Sequence, residues 1–262
     1  MNEILTTMNI KSLITSIEKN LDDFYVICSQ HPNIDSNLSE RIDWINAKFA
    51  DWPSCIFRVD FTNQNINTEI KKIKSSIKKG KIPNGWTIGP LTKPKDLEKR
   101  LIKLGFSKVY QQSGMILELT KLKDLPIINN ELEIDLVNTE VKLAWWSKNV
   151  SEVFNIKVDL DLMNFLLKSD QIKLFLGFFN KKVISTLLLF LSAGVAGLHA
   201  VTTLSDYRRR GFGYMISRYA LLHAYNLGYK IGVLQASILG EKVYKQLGFK
   251  KYCDINSYEL VI

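Results

Sequence analysis

One stretch of this chain returns near its end. Residues 98–108 align without a gap on residues 241–251, sharing Glu, Lys, Leu, Gly, Phe and Lys. Each copy reads as a helix ending at Leu-Gly-Phe, the glycine supplying the left-handed residue of a helix C-cap. A strand-like tail follows each copy, at 115–119 and 256–260. Self-similarity at this separation predicts one supersecondary unit used twice. A common C-cap standing before a strand would give the same letters, so the flanks must decide.

The second half supplies those flanks. Residues 208–213 read Arg-Arg-Arg-Gly-Phe-Gly, between a strand-like run at 195–203 and a helix-like run at 211–226. A helix start presents unpaired N–H groups and partial positive charge. Glycines let the backbone approach an anion, and arginines add forked donors. The combination predicts a phosphate site. Walker A spacing is missing, and a dinucleotide fingerprint would need a further glycine.

The spacing Arg-x-x-Gly-x-Gly, filled by Arg208, Gly211 and Gly213, resembles the coenzyme A signature of the GCN5-related N-acetyltransferases, the GNAT family. Downstream, Tyr244, Gly248 and Phe249 match that family's Tyr-x-x-x-Gly-Phe in order and separation. The resemblance covers residues 131–262. It implies an α/β fold of mixed α+β type, a twisted mixed sheet flanked by helices. With the repeat, the expectation becomes two tandem acyl-CoA N-acyltransferase folds. Residues 1–122 form a degenerate GNAT-like domain and 131–262 a catalytic one, with the boundary near 121–130. In the first copy Leu101 stands where Tyr244 stands in the second, and no Arg-x-x-Gly-x-Gly precedes it. Residues 84–94, with two prolines, are read in the hexad's place. The first half is then structural or substrate-shaping.

The resemblance also implies roles. Backbone N–H groups around Arg209, Arg210, Gly211, Phe212, Gly213 and Tyr214 cradle the pyrophosphate of acetyl-CoA, with Arg208 beside them. Val201, Thr202 and Thr203 form the end of a strand that splays from its neighbour, where an N–H of Val201 or Thr203 can donate to the thioester oxygen. Tyr244 protonates the leaving thiolate, although a tyrosine on an amphipathic helix can equally be core. Ser237 stands where the family often places a longer Asn against the cofactor arm. The family often draws its base from the strand before the hexad, but here that strand has no Asp or Glu. His199 is its one titratable side chain, and strand alternation predicts it on one face with Val201 and Thr203. A core histidine, a water chain or no dedicated base are the other readings. Trp145 and Trp146 cannot share a helix face, so at least one is core. Asp159 and Asp161 can contact an amine or simply favour a helix start.

Composition narrows the rest. Cys28, Cys55 and Cys253 are odd in number and widely spaced, which points to a reduced, cytoplasmic setting and to no metal site. None falls in a motif, so direct attack in a ternary complex is expected rather than a covalent acyl-enzyme. The net charge of +9 is shared by both halves. The lysines at 71–81 interleave with Ile70, Ile73 and Ile77 as the solvated face of an amphipathic helix. Nucleic acid is therefore not an expected partner, and no run reads as a membrane span or signal peptide. The expected acceptor is a small-molecule or peptide amine, and the protein a monomer or homodimer. A non-catalytic acyl-CoA sensor is the alternative.

Overall fold

The apolar run at 183–191 becomes the middle of a strand whose residues are buried on both faces, and the rest of the fold is arranged around it. The computed structural model describes residues 9–62, 65–124, 128 and 131–261. Half of the expected boundary over 121–130, residues 125–127, 129 and 130, lies outside them. The helices are α1 (Ile10–Cys28), α2 (Ile66–Lys78), α3 (Leu97–Lys103), α4 (Glu140–Phe154), α5 (Leu160–Leu167), α6 (Phe212–Asn226) and α7 (Glu241–Gln246). The strands are β1 (Ile34–Asn37), β2 (Asp43–Ala47), β3 (Ser54–Phe57), β4 (Trp86–Ile88), β5 (Phe106–Glu118), β6 (Glu133–Leu136), β7 (Ile172–Phe179), β8 (Lys182–Ser192), β9 (Val195–Thr203), β10 (Ile231–Ala236) and β11 (Lys250–Leu260).

Among the described residues the strands form one sheet, in the order β1-β2-β3-β4-β11-β5-β10-β9-β8-β7-β6. The two halves repeat each other about its centre. Each has an antiparallel run, then a parallel step, β3 to β4 and β9 to β10. Each half's last strand then completes the other's sheet. β5 lies antiparallel to β10, with Leu234 opposite Met115, and β11 lies antiparallel to β4, with Ser257 opposite Thr87. β5 and β11 also pair with each other over most of their length. The halves are therefore interlocked through backbone hydrogen bonds.

The repeated sequence occupies matching places in this pattern. α3 and α7 are both capped by a leucine, Leu104 and Leu247, and the following Gly105 and Gly248 sit at φ +91° and +93°. Only glycine adopts that backbone without strain, which is why the motif recurs. The tails are longer than expected, because each strand starts within two residues of its glycine.

α6 buries Phe212, Ile216, Ala220 and Ala224 against one face of the sheet, at helical spacing. α4 and α5 cover the other face with Leu143, Trp146, Val150 and Leu166, joined there by Phe24 and Cys28 of α1. A third core holds Ile70 and Ile77 of α2 with Trp86, Leu101 and Tyr258. Lys71, Lys72 and Lys78 of α2 face solvent as expected, whereas Lys74 is half-buried and donates to the Leu104 carbonyl at 2.6 Å. Among the described residues no helix is long and apolar enough to cross a membrane.

Candidate active site

β9 and β10 part company halfway along. Their parallel register runs from Ala196–Gly232 to Leu198–Leu234 and stops there. Just beyond, β9 carries a bulge. Leu188 of β8 pairs with His199 and Thr186 with Thr202, so β9 has one residue more than β8 between them. Ala200 takes φ +45° in that bulge. A bulge bends its strand and leaves ladder groups unpaired. Together the parting and the bulge open the splayed strand end that the motif implied.

The bulge also overturns the expected facing of the side chains. Leu198 and Val201 pack on the α6 side of the sheet, and Thr203 lies beside Gly213 of α6. His199 stacks on Phe24 of α1, on the opposite side. Thr202 also turns away from α6, donating its hydroxyl to Asn149 of α4 at 2.6 Å. His199 therefore does not share a face with Val201 and Thr203. One inserted residue reverses the alternation beyond it.

The hexad forms a loop with the backbone geometry of an anion cradle at the start of α6. Arg209 and Gly211 take φ +62° and +82° on either side of Arg210, giving the alternating backbone of a nest. The first-turn N–H groups of α6 face out of the helix end beside it. Gly213 is open: a methyl group there would meet only the Thr203 hydroxyl oxygen, at 3.6 Å. Four side chains around this loop are committed elsewhere, and that of Arg209 is exposed. Phe212 and Tyr214 are core residues. The Arg210 guanidinium lies 4.4 Å from the centre of the Phe179 ring and 5.1 Å from that of Phe212, with the Glu131 carboxylate at 3.7 Å. Arg208 donates Nε–H to the Thr203 carbonyl at 3.1 Å, tying the loop to the splayed strand. The nest is built of backbone, with the Arg208 and Arg210 side chains bracing it and Arg209 exposed beside it. Its open helix end and uncrowded Gly213 fit a pyrophosphate.

A cavity of about 370 Å³ lies between the parted strands. His199 and Val201 both line it, so it reaches both faces of the sheet. Tyr244 and Ser237 line it from the β10 side. Tyr244 is 8 % exposed and packs edge-on against Phe249. Burial raises its phenol well above the usual range, so it stays protonated. The Ser237 hydroxyl accepts the Gly240 N–H at 3.1 Å and shapes the loop before α7.

His199 is held by α1. Asn20 donates its amide to the carbonyls of Phe190 and Ser192, at 3.2 and 3.3 Å. Its carbonyl oxygen is thereby turned to His199 Nε2, 2.9 Å away. Nε2 must then carry the proton and Nδ1 is the acceptor. Gly197 makes room for this contact, since a methyl group there would collide with Asn20. Burial lowers the imidazole to about 4, so it is neutral at physiological pH.

The motifs did not reveal the wall that the first half builds. Phe24 and Tyr25 of α1, Trp52, and Tyr110 of β5 all line the cavity. Trp52 stacks on Phe24, ring centres 5.4 Å apart at 23°, and Phe24 stacks on His199 at 5.5 Å and 14°. No local spacing signals these residues. Of the two adjacent tryptophans one is core, as expected, and neither is among the cavity's lining residues. Trp146 is buried, donating its indole N–H to the Leu187 carbonyl at 3.3 Å, and Trp145 packs edge-on to Phe178. Asp159 caps α5, accepting N–H groups of Asp161 and Leu162, and Asp161 lies in the first turn of that helix.

In the first half the matching slot is closed. Beyond β3, Lys93 donates its N–H to Val59 O at 2.9 Å and accepts the Phe61 N–H at 3.1 Å. The Leu91 N–H is taken by the buried Glu18 carboxylate. By topology the counterpart of the hexad is the connection between β3 and α2, not residues 84–94, which form β4 and the closing segment.

No protein-family model matches the chain, and no curated protein sequence matches it. Its fold has clear counterparts. A GCN5-related N-acetyltransferase from Kribbella flavida superimposes with a TM-score of 0.70 at 13% identity, over 93% of this chain and 95% of that one. A GCN5-related N-acetyltransferase from Sphaerobacter thermophilus gives 0.62 at 11% identity, covering 95% and 90%. A tandem GNAT protein from the clavulanic acid biosynthesis pathway gives 0.61 at 8% identity, covering 95% and 93%. The chain has the tandem acyltransferase fold that its motifs implied.

Proposed function

We propose that the protein is an N-acetyltransferase that moves an acetyl group from acetyl-CoA to a primary amine by direct attack in a ternary complex. One observation carries this reading. The parting of β9 from β10 opens a cavity lined by Val201, Tyr244 and a separate set of aromatic side chains, and Thr203, two residues beyond Val201, lies beside Gly213 of the hexad. Residues 131–262 carry the chemistry, and residues 1–122 supply most of the acceptor wall.

Bound acetyl-CoA supplies the activated acyl group. The backbone N–H groups at 209–214 hold its pyrophosphate, and an N–H at the bulge, at Val201, donates to the thioester oxygen. Tyr244, kept protonated by burial, gives its hydroxyl proton to the departing sulfur. Direct attack fits the thiols. Cys28 and Cys55 are buried, the latter pushed up to about 12, and Cys253 is likewise near 12 and lies at a different cavity. His199, lowered to about 4, is suited to accept a hydrogen bond rather than store a proton.

A cytoplasmic monomer or homodimer acting on a small-molecule or peptide amine suits this reading, with neither metal, nucleic acid nor membrane as partner. A non-catalytic acyl-CoA sensor is favoured by one observation: no carboxylate is found among the described residues lining the cavity. Thiol release from acetyl-CoA separates the two. Release that depends on added amine supports the transferase, whereas binding without amine-dependent release supports the sensor.

A further inference from the structure

We infer that the acceptor is a monoamine with an uncharged, apolar body, and that the cavity discriminates against polyamines and amino acids alike. This rests on the acyl-transfer reading and adds the substrate class to it. The described residues lining the cavity include no Asp, Glu, Lys or Arg. Its acceptor side sets the rings of Phe24, Tyr25, Trp52, Tyr110 and Phe154 beside uncharged polar side chains such as Gln112 and Thr87. A second ammonium on the acceptor would find no carboxylate there, and a carboxylate would find no cation. A desolvated charge without a partner is strongly disfavoured. Apolar surface, by contrast, is what such a wall binds, and the volume suits a small molecule.

The missing carboxylate also bears on the chemistry. Attack needs the neutral amine. Removing an ammonium from water into an uncharged cavity favours loss of its proton. Desolvation by the aromatic wall thus does the work for which a carboxylate base would otherwise be needed. As the N–C bond forms and the C–S bond breaks, the amine nitrogen releases its remaining excess proton to water, the sulfur takes one from Tyr244, and water returns a proton to the Tyr244 phenolate. The apolar character continues outward, since Ile238 and Leu239 are more than four-fifths exposed in the loop whose ends, Ser237 and Gly240, line the cavity.

The test uses three probes of similar length: hexylamine, 1,6-diaminohexane and 6-aminohexanoic acid. Each is measured for turnover with acetyl-CoA, and for binding by quenching of tryptophan fluorescence. Hexylamine should be preferred over both others by about tenfold or more, in kcat/KM and in affinity. Equal or reversed preference in protein that binds acetyl-CoA overturns the acceptor class and leaves acyl transfer standing. The same binding order without turnover supports the class and overturns acyl transfer. No binding of any probe up to about 10 mM overturns the class. Phe154 is half exposed at the end of α4, so Phe154→Glu puts a carboxylate on the wall where the fold tolerates it. That variant should shift the ratio toward the diamine by about tenfold. An unchanged ratio would overturn the claim that lining charge sets the choice.

Discussion

Asn20 Oδ1 lies 2.9 Å from His199 Nε2, joining the first helix of the chain to the bulged strand of the second half. Asn20 is fully buried, and its amide also holds two carbonyls of the β8 end. Asn20→Ala leaves three buried polar groups short of a partner. The variant should lose about 2–4 kcal/mol of stability and should free His199 to exchange tautomers. Urea unfolding and nitrogen chemical shifts of the imidazole report these separately. Full stability with an unchanged tautomer would mean the contact does no positioning.

Tyr244→Phe keeps the ring packing against Phe249 and removes only the hydroxyl. kcat should fall by roughly ten- to a hundredfold with acetyl-CoA affinity unchanged. Steady-state kinetics with calorimetric binding give both numbers. Unaltered kcat at saturating substrates removes Tyr244 as the proton donor.

Burial holds Glu18 at about 7, against 4.5 for the free side chain, although the Leu91 N–H pulls the other way. The folded protein therefore keeps a proton that the unfolded chain gives up between those values. Stability from this group is full below pH 4.5 and is lost as pH rises through 7, by up to about 3 kcal/mol. Buried Asp22 is raised as well, by desolvation first and by Glu18 second. His199 acts oppositely, because its folded value lies below the unfolded one. Its contribution is full above pH 6.5 and is lost as pH falls toward 4. Glu18→Gln, which retains an acceptor for Leu91, should melt higher than the parent at pH 8 and converge with it near pH 4.5. A variant that melts lower at pH 8 contradicts this account of Glu18.

The exchanged strands make the halves interdependent. Residues 9–124 alone lack β11 beside β4, and residues 131–261 alone lack β5 beside β10. Each fragment exposes a long unpaired edge and the apolar face beneath it. Each should be unfolded or aggregated when expressed alone, and the two should co-purify when expressed together. Circular dichroism of the single fragments checks this. A fragment that folds with cooperative melting would show that the exchange is dispensable.

Local chemistry was legible in the sequence. The nest at Arg209 and Gly211, the C-cap at Gly248 and the helix carrying Tyr244 are each specified within a few residues, so spacing alone located them. The facing of His199 was not legible, because a one-residue bulge at Ala200 inverts an alternation that the letters keep regular. Asn20 and His199 are 179 residues apart, and no periodicity links them. Phe24 and Trp52 reach the cavity only because the halves share a sheet, and sharing depends on which tail pairs with which edge. Apolar strand patterns do not encode that choice.

The central claim is a working acetyl-CoA site at the start of α6. Gly211 is a poor position to perturb, since at φ +82° any side chain strains the backbone. Gly213 is better: it has helical geometry and open space, and an acidic residue in the first turn suits the helix dipole. The decisive measurement is calorimetric titration of acetyl-CoA into the parent protein and into Gly213→Glu, with melting temperatures recorded for both. Saturable binding in the parent, weakened about a hundredfold or more in a variant that melts no lower, is the predicted result. Equal affinity in the two proteins, or no binding in the parent, would contradict it.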